Sequence, residues 1–323
     1  MEGHVGPVLT LSLNESGSHL LSGGHDRTVR LWNPRRGTSS SSSSTASSST
    51  ASTTKHAASL LATFDDGRIT HAVAGLAILP GSKQFVTCGG TTRALLWDLN
   101  TKQLVRKFNG HSLRVNCVAQ GGHGGSVLFT GGYDRLVVAH DLRSRTEIQT
   151  LPKCTDSVES IAVVHQDILA ADANGCLHTY DLRKGTIRKD MYHAPIGHAS
   201  IAPGNGKCVA LSCQDGRVRL VERSTGLLLC TFTGGHITTD FKIGCTFVDD
   251  GRIVVTGSED GRVVMYDTMT EKILGVLDGS STSAGHALLP PERVAVCALG
   301  TSRDYGFLVS GSYDGSIKVW HKK

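Results

Sequence analysis

The chain has 323 residues, with 38 glycines, 8 prolines and a formal net charge of +5. A body of this length buries a core without disulfide or metal staples. The mild positive charge permits an acidic partner without arguing for nucleic acid, and the absence of any run of about 18 apolar residues excludes a membrane helix.

In chain order, one phrase recurs: small residues, an Asp or Asn, then an apolar stretch closing on an aromatic. It runs GGHDRTVRLW to Trp32, CGGTTRALLW to Trp97, TGGYDRLVVAH to His140 and ADANGCLHTY to Tyr180. It continues as SCQDGRVRLV to Val221, GSEDGRVVMY to Tyr266 and GSYDGSIKVW to Trp320. Asp26, Thr91, Asp134, Asn174, Asp215, Asp260 and Asp314 each stand six residues before the closing position. The intervals are 65, 43, 40, 41, 45 and 54 residues, and four of them match the ~40–45 period of repeats that supply four strands each. Both long intervals contain an insertion: the Ser/Thr-rich segment at 38–55 and the segment DGSSTSAGHALLPPER at 278–293. Seven copies predict an all-β, seven-bladed β-propeller forming one domain over 1–323, because a closed ring of small sheets hides strand edges.

Local signals agree. Asn174-Gly175, Asp215-Gly216, Asp260-Gly261 and Asp314-Gly315 are hairpin dipeptides, expected as type I′ turns with positive φ at both central residues. Stretches such as Arg252–Thr256 are rich in β-branched residues, and no segment carries a clean helical period. The 38–55 tract cannot bury enough apolar surface to order itself. It is expected as a disordered surface loop between the third and fourth strands of blade one.

Three repeats carry sets that resemble a hydrolase triad: His4, Ser22 and Asp26; His111, Thr130 and Asp134; His236, Thr256 and Asp260. A catalytic site would occur once. A set that recurs reads as a framework network of His, hydroxyl and Asp, joined by the closing Trp32, Tyr266 or Trp320, with Asp314 in the last repeat. No catalytic residue is therefore nominated. GGHGGS (121–126) and APGNGK (202–207) open no helix and lack phosphate-loop spacing, and His193 and His198 lack zinc-finger partners. No cofactor and no metal is expected. Nine cysteines without a C-x-x-C pair, and a start Met1-Glu2-Gly3-His4 without a signal-peptide pattern, predict reduced, mostly buried thiols in cytosol or nucleus.

These repeats are identified as those of the WD-repeat family. Its kinase-organizer branch is the one most resembled, through LWNPRRGT (31–38), LVRKFNGHSLRVN (104–116), DILAADANGCLHTYDLRKG (167–185) and DFKIGCTFVDDGRIVVTGSEDGRVVMYD (240–267). The likeness covers nearly all of the chain outside the two insertions. It implies a non-catalytic scaffold that binds other proteins, either spliceosomal factors in pre-mRNA splicing, ranked first, or components of a mitogen-activated protein kinase cascade. It also implies a monomeric propeller within larger complexes, in nucleus and cytoplasm. Propellers of this family usually close when an N-terminal strand completes the last blade. Here only His321-Lys322-Lys323 follow Trp320 and few residues precede His4, so blade seven is expected to be one strand short, either because the protein begins upstream, the preferred reading, or because the ring closes on three strands.

Two partner surfaces are expected. Arg27, Arg93, Arg135, Arg217 and Arg262 stand at or just after the turn position and would form a basic collar for an acidic peptide around one mouth of the channel. Asp141-Leu142-Arg143 and Asp181-Leu182-Arg183 resemble the box by which some WD proteins dock on cullin-4 ubiquitin-ligase adaptors, which makes substrate receptor the alternative function. The blander reading of each box is a local ion pair that finishes a strand. Neither direct nucleic-acid binding nor membrane association is expected, since interleaved aromatic and basic residues are absent.

Overall fold

β-Branched and apolar residues alternating along short segments give strands throughout, and the hairpin glycines fold them back in sequence order. The computed structural model describes residues 3–35, 59–122, 125–144, 147–278, 294–302 and 306–321. The Ser/Thr tract at 38–55 and, past Asp278, the insertion at 278–293 lie outside the described residues.

Each repeat is one antiparallel sheet whose strands pair in chain order. Blade one is β1 (Val8–Leu13), β2 (Leu20–Gly24), β3 (Val29–Asn33) and β4 (Ser59–Phe64). Blade two is β5 (Gly75–Ile78), β6 (Gln84–Cys88), β7 (Ala94–Asp98) and β8 (Leu104–Phe108). Blade three is β9 (Val115–Gly121), β10 (Val127–Gly132), β11 (Val137–Asp141) and β12 (Glu147–Thr150). Blade four is β13 (Val158–Val164), β14 (Asp167–Asp172), β15 (Cys176–Asp181) and β16 (Thr186–Met191). Blade five is β17 (Ile196–Ile201), β18 (Cys208–Cys213), β19 (Arg217–Glu222) and β20 (Leu228–Phe232). Blade six is β21 (Cys245–Val248), β22 (Ile253–Gly257), β23 (Arg262–Asp267) and β24 (Ile273–Asp278). Blade seven holds three strands among the described residues: β25 (Val296–Ser302), β26 (Phe307–Ser312) and β27 (Ile317–His321).

The first strands touch in a cycle, β1 to β5, β9, β13, β17, β21, β25 and back to β1, so the sheets close into a seven-bladed propeller with β1-type strands innermost. The core is divided among the seams. Phe64, Phe85 and Trp97 pack between blades one and two, Phe129, Ile168 and Tyr180 between three and four, and Val8, Trp32 and Phe307 between one and seven. Each blade buries its faces only against its neighbours, which makes the ring cooperative and stiff.

The hairpin turns differ from the expected type I′. Only the glycines at 175, 216, 261 and 315 have positive φ (84°, 73°, 85° and 83°). In three of these turns the glycine N–H donates to a carbonyl three residues back, as from Gly175 to Asp172, Gly261 to Ser258 and Gly315 to Ser312. This is a type I turn followed by a left-handed residue. It needs one positive φ, so Asn or Asp before the glycine stays in ordinary backbone and keeps its side chain for capping.

Candidate functional site

In blade one the indole Nε1–H of Trp32 donates to Ser22 Oγ at 2.8 Å. Ser22 Oγ lies 2.7 Å from His4 Nε2, and His4 Nδ1 lies 3.0 Å from both oxygens of Asp26. An indole can only donate and a carboxylate only accept, which fixes the order of the rest: serine donates to Nε2, and Nδ1–H donates to Asp26. Asp26 also accepts the Val5 and Thr28 N–H groups, tying the loop into β1 to the turn after β2. Blade three repeats the chain, with His111 Nε2 2.8 Å from Thr130 Oγ1 and Nδ1 2.9 Å from Asp134. His140 replaces the tryptophan, its Nε2 2.9 Å from Thr130 Oγ1. Burial, reinforced by the nearby His111, holds the His140 imidazole down at about 4. Burial alone would raise the Asp134 carboxyl, but hydrogen bonds from His111 and from the Ser112 N–H outweigh it and keep the acid below its usual range.

As nucleophiles these hydroxyls are spent. Ser22 and Thr130 are fully buried, and each already bonds two rings, so no substrate carbonyl can reach them. The sets hold the framework.

Blade six departs from the sequence reading. His236, Thr256 and Asp260 do not join: His236 Nδ1 lies 2.6 Å from the Tyr266 hydroxyl, its Nε2 has no hydrogen-bond partner, and Thr256 donates to Gly257 O. Tyrosine reaches further than an indole N–H, so its hydroxyl meets the imidazole directly and goes on to the Gly234 carbonyl. Asp260 is instead drawn outward by the Arg262 guanidinium. Its usual task, accepting the N–H after the histidine, passes to Ser258, which bonds Ile237 N at 2.9 Å. Asp260→Ala is therefore expected to cost less than about 1 kcal/mol, as for an exposed ion pair. Urea denaturation beside Asp26→Ala, expected at about 2–4 kcal/mol through an orphaned imidazole and backbone N–H groups, measures the contrast; equal losses would defeat it. In blade seven Trp320 donates to Ser310 Oγ at 2.9 Å, and Asp314 caps the turn by accepting Ser316 N–H at 2.8 Å.

Sequence reasoning missed blade four. Ala170 stands where all the other repeats but blade five, with Leu211, have a hydroxyl, and the turn is held by Asp172, two residues before Asn174. Asp172 and His178 are fully buried, Nε2 to Oδ2 2.9 Å. The same carboxylate accepts the N–H groups of Thr155, Asp156, Asn174 and Cys176. Burial opposes the charged imidazole, yet the bond to Asp172 dominates and His178 rises to about 9. Asp172, Cys176 and His178 offer ligand atoms within 4.8 Å of one another, but a carboxylate carrying four backbone donors and an imidazole has no capacity left for a cation. The donor set fits a polar framework, not a metal.

The five collar arginines, Arg27, Arg93, Arg135, Arg217 and Arg262, are exposed. Their turns share one end of the ring, where a turn N–H bonds the loop entering an inner strand, as in His25 to Pro7, Tyr133 to Arg114, Gln214 to Pro195 and Glu259 to Ile237. Arg262 is engaged by Asp260. On the opposite end, Asp141 accepts Arg143 N–H at 2.7 Å and Asp181 accepts Arg183 N–H at 2.9 Å. These bonds finish the strand through the backbone, which corrects the expectation of a side-chain ion pair with Arg143 or Arg183. Asn33, Asp98 and Asp267 do the same, so the carboxylates of Asp141 and Asp181 belong to a recurring turn, while Arg143 and Arg183 are exposed.

A closed ring with its His–hydroxyl–Asp chains buried defines a WD-repeat propeller, a class of protein-interaction scaffolds that are generally non-catalytic. The WD domain, G-beta repeat, matches residues 1–33, 102–141, 226–267 and 281–321. Over these residues the chain carries WD repeats, and along its length it resembles WD repeat domain-containing protein 83. It is 25% identical to the WD repeat domain-containing protein 83 homolog of Dictyostelium discoideum, over 99% of this chain and 96% of that one. It is 31% identical to the Rattus norvegicus WD repeat domain-containing protein 83, over 50% of this chain and 51% of that protein. Denticleless protein homolog A of Xenopus laevis is 24% identical over 79% of this chain and 42% of its own length. Among the described residues no helix is long and apolar enough to cross a membrane.

Proposed function

We propose that this propeller is a non-catalytic scaffold of nucleus and cytoplasm that holds spliceosomal proteins together during pre-mRNA splicing, and assembles components of a mitogen-activated protein kinase cascade as a second role. The full-length likeness to the WD repeat domain-containing protein 83 homolog of Dictyostelium discoideum carries the reading. The geometry supports it, because the residues capable of chemistry are consumed in the framework while both loop ends of a stiff ring stay available for different partners. Acidic segments are the expected ligands of the collar end, through Arg27, Arg93, Arg135 and Arg217, which are exposed.

Affinity capture from nuclear and cytoplasmic extracts, read by mass spectrometry, tests this. Splicing factors should dominate the nuclear eluate and kinase components the cytoplasmic one. Arg27→Glu, Arg135→Glu and Arg217→Glu together should lower recovery of the acidic partners about tenfold with unchanged melting temperature. Capture dominated by a cullin-4 adaptor, and lost on Arg143→Ala with Arg183→Ala, would replace the scaffold by a substrate receptor. Partner recovery untouched by the triple reversal would remove the collar.

A further inference from the structure

The outer strands of blades two and four, on either side of blade three, carry an arginine that blade three lacks. In blade two Arg106 faces Leu96 in the β7–β8 register, and its guanidinium crosses the seam to the carbonyls of Leu142 and Ser144 in blade three. In blade four Arg188 faces Thr179 and crosses likewise to the carbonyls of Arg223 and Ser224 in blade five. Each arginine fills the notch between its blade and the next. The same register position in blade three pairs Ala139 with Gln149. Gln149 is exposed and, among the described residues, bridges to no carbonyl of blade four, so the notch between blades three and four stays open.

That notch is a cavity of about 710 Å³. Its wall is apolar, built from Phe129, Ala139 and Leu151 of blade three and Val163 and Leu182 of blade four, with Ile148 at its lip. Leu182 and Ile148 are 47% and 54% exposed, large apolar surface left open to solvent at the notch. Arg183, His165 and Gln166 close one end and are shared with a second hollow of about 550 Å³ lined also by Lys184 and Arg223. The two carboxylates there are already engaged: Asp167 by Arg223, and Asp181 by the Arg183 and Lys184 N–H groups. Arg183 is exposed at the junction of the two hollows. An apolar slot thus runs into a cationic end.

We propose that the notch between blades three and four docks an acidic protein segment, one bulky apolar side chain seated against Phe129, Leu151 and Val163 and a neighbouring carboxylate paired with Arg183. A cationic segment would meet Arg183, Lys184 and Arg223 and is disfavoured on charge. The proposal deepens the scaffold reading and rests on it only in assigning a protein segment to the notch.

The test uses the full chain and a fluorescent peptide holding one phenylalanine among aspartates, with two controls: phenylalanine changed to alanine, and the aspartates changed to lysines. Anisotropy titration should show binding of the first peptide, weakened about tenfold or more by either control. Gln149→Arg, which supplies the missing cross-seam arginine, should abolish it without lowering the melting temperature, and Arg183→Glu should weaken it about tenfold. Equal binding of the lysine peptide, undiminished binding by both variants, or no binding of the phenylalanine peptide would overturn the proposal. None of these depends on which proteins are captured from extracts, so docking at the notch and the scaffold reading fail separately.

Discussion

Asp172→Ala is expected to destabilise the fold by about 3–5 kcal/mol, the range for removing one partner of a buried ion pair. The carboxylate is fully buried and faces an equally buried His178. Its loss strands a cationic imidazole and the buried N–H of Cys176, each about 1–3 kcal/mol if left unsatisfied, and releases the part-buried N–H groups of Thr155, Asp156 and Asn174 at smaller cost. Partial relaxation keeps the total below the sum. Chemical denaturation gives the number, and a loss under about 1 kcal/mol would show that Asp172 holds nothing.

The same pair sets a pH dependence. The folded His178 titrates at about 9, above the ~6.5 of an unfolded histidine. Its contribution is complete below about 6.5 and is lost as pH rises through the folded value. Stability should decline between roughly pH 6.5 and 9. Other groups also respond near the upper end, since burial pushes the thiols of Cys117 and Cys245 to about 12. The comparison is therefore with His178→Gln, which should flatten the slope between pH 6.5 and 8; parallel curves would assign that slope elsewhere. The depressed Asp172 carboxyl, which burial opposes but His178 and the Cys176 N–H favour, acts oppositely and is lost only as pH falls through its own low range.

What the sequence reveals follows from how local the determinants are. The blade count was legible because every repeat restates its own strands and turn. The blade-one and blade-three networks were legible because the hydroxyl keeps its place in the repeated phrase before the Asp, with the His 22 or 23 residues before that Asp. Blade four was not, because Asp172 occupies the place of Gly24 or Gly132, and its partner His178 becomes a neighbour only through the β14–β15 register. The Asp172–His178 spacing around Asn174-Gly175 was the available signal. Blade six failed for the opposite reason: its residue types fit, but Tyr266 and Arg262 compete for the two ends of the set. The open notch required the outer-strand register, since Gln149 differs from Arg106 and Arg188 in no way visible until the three align.

The second large effect lies in how the ring closes between blades six and seven. Nine residues before each closing position stand Gly23, Cys88, Gly131, Ala171, Ser212, Gly257 and Gly311, so several blades already carry a Cβ there. At Gly23 and Gly131 an added Cβ would meet valine methyl groups at 2.6 Å, which side-chain rotation can relieve. At Gly257 it would lie 2.0 Å from the Val296 carbonyl oxygen, backbone on the innermost strand of the next blade, and rotation cannot help. Relief requires β22 and β25 to part, straining the bonds from Val296 N to Ser258 O and from Gly257 N to Gly244 O and loosening the Val255, Val263 and Leu308 core. Gly257→Ala is therefore expected to cost about 3 kcal/mol, the upper part of the overpacking range, and Gly23→Ala about 1. Amide exchange should quicken first in β25 and β26, because each blade is held by its neighbours and this seam would open before the others. Equal melting temperatures for the two variants, or uniform acceleration of exchange around the ring, would mean that the seam is not rigid. A scaffold whose partners must be held at fixed spacing would then have to get its stiffness elsewhere.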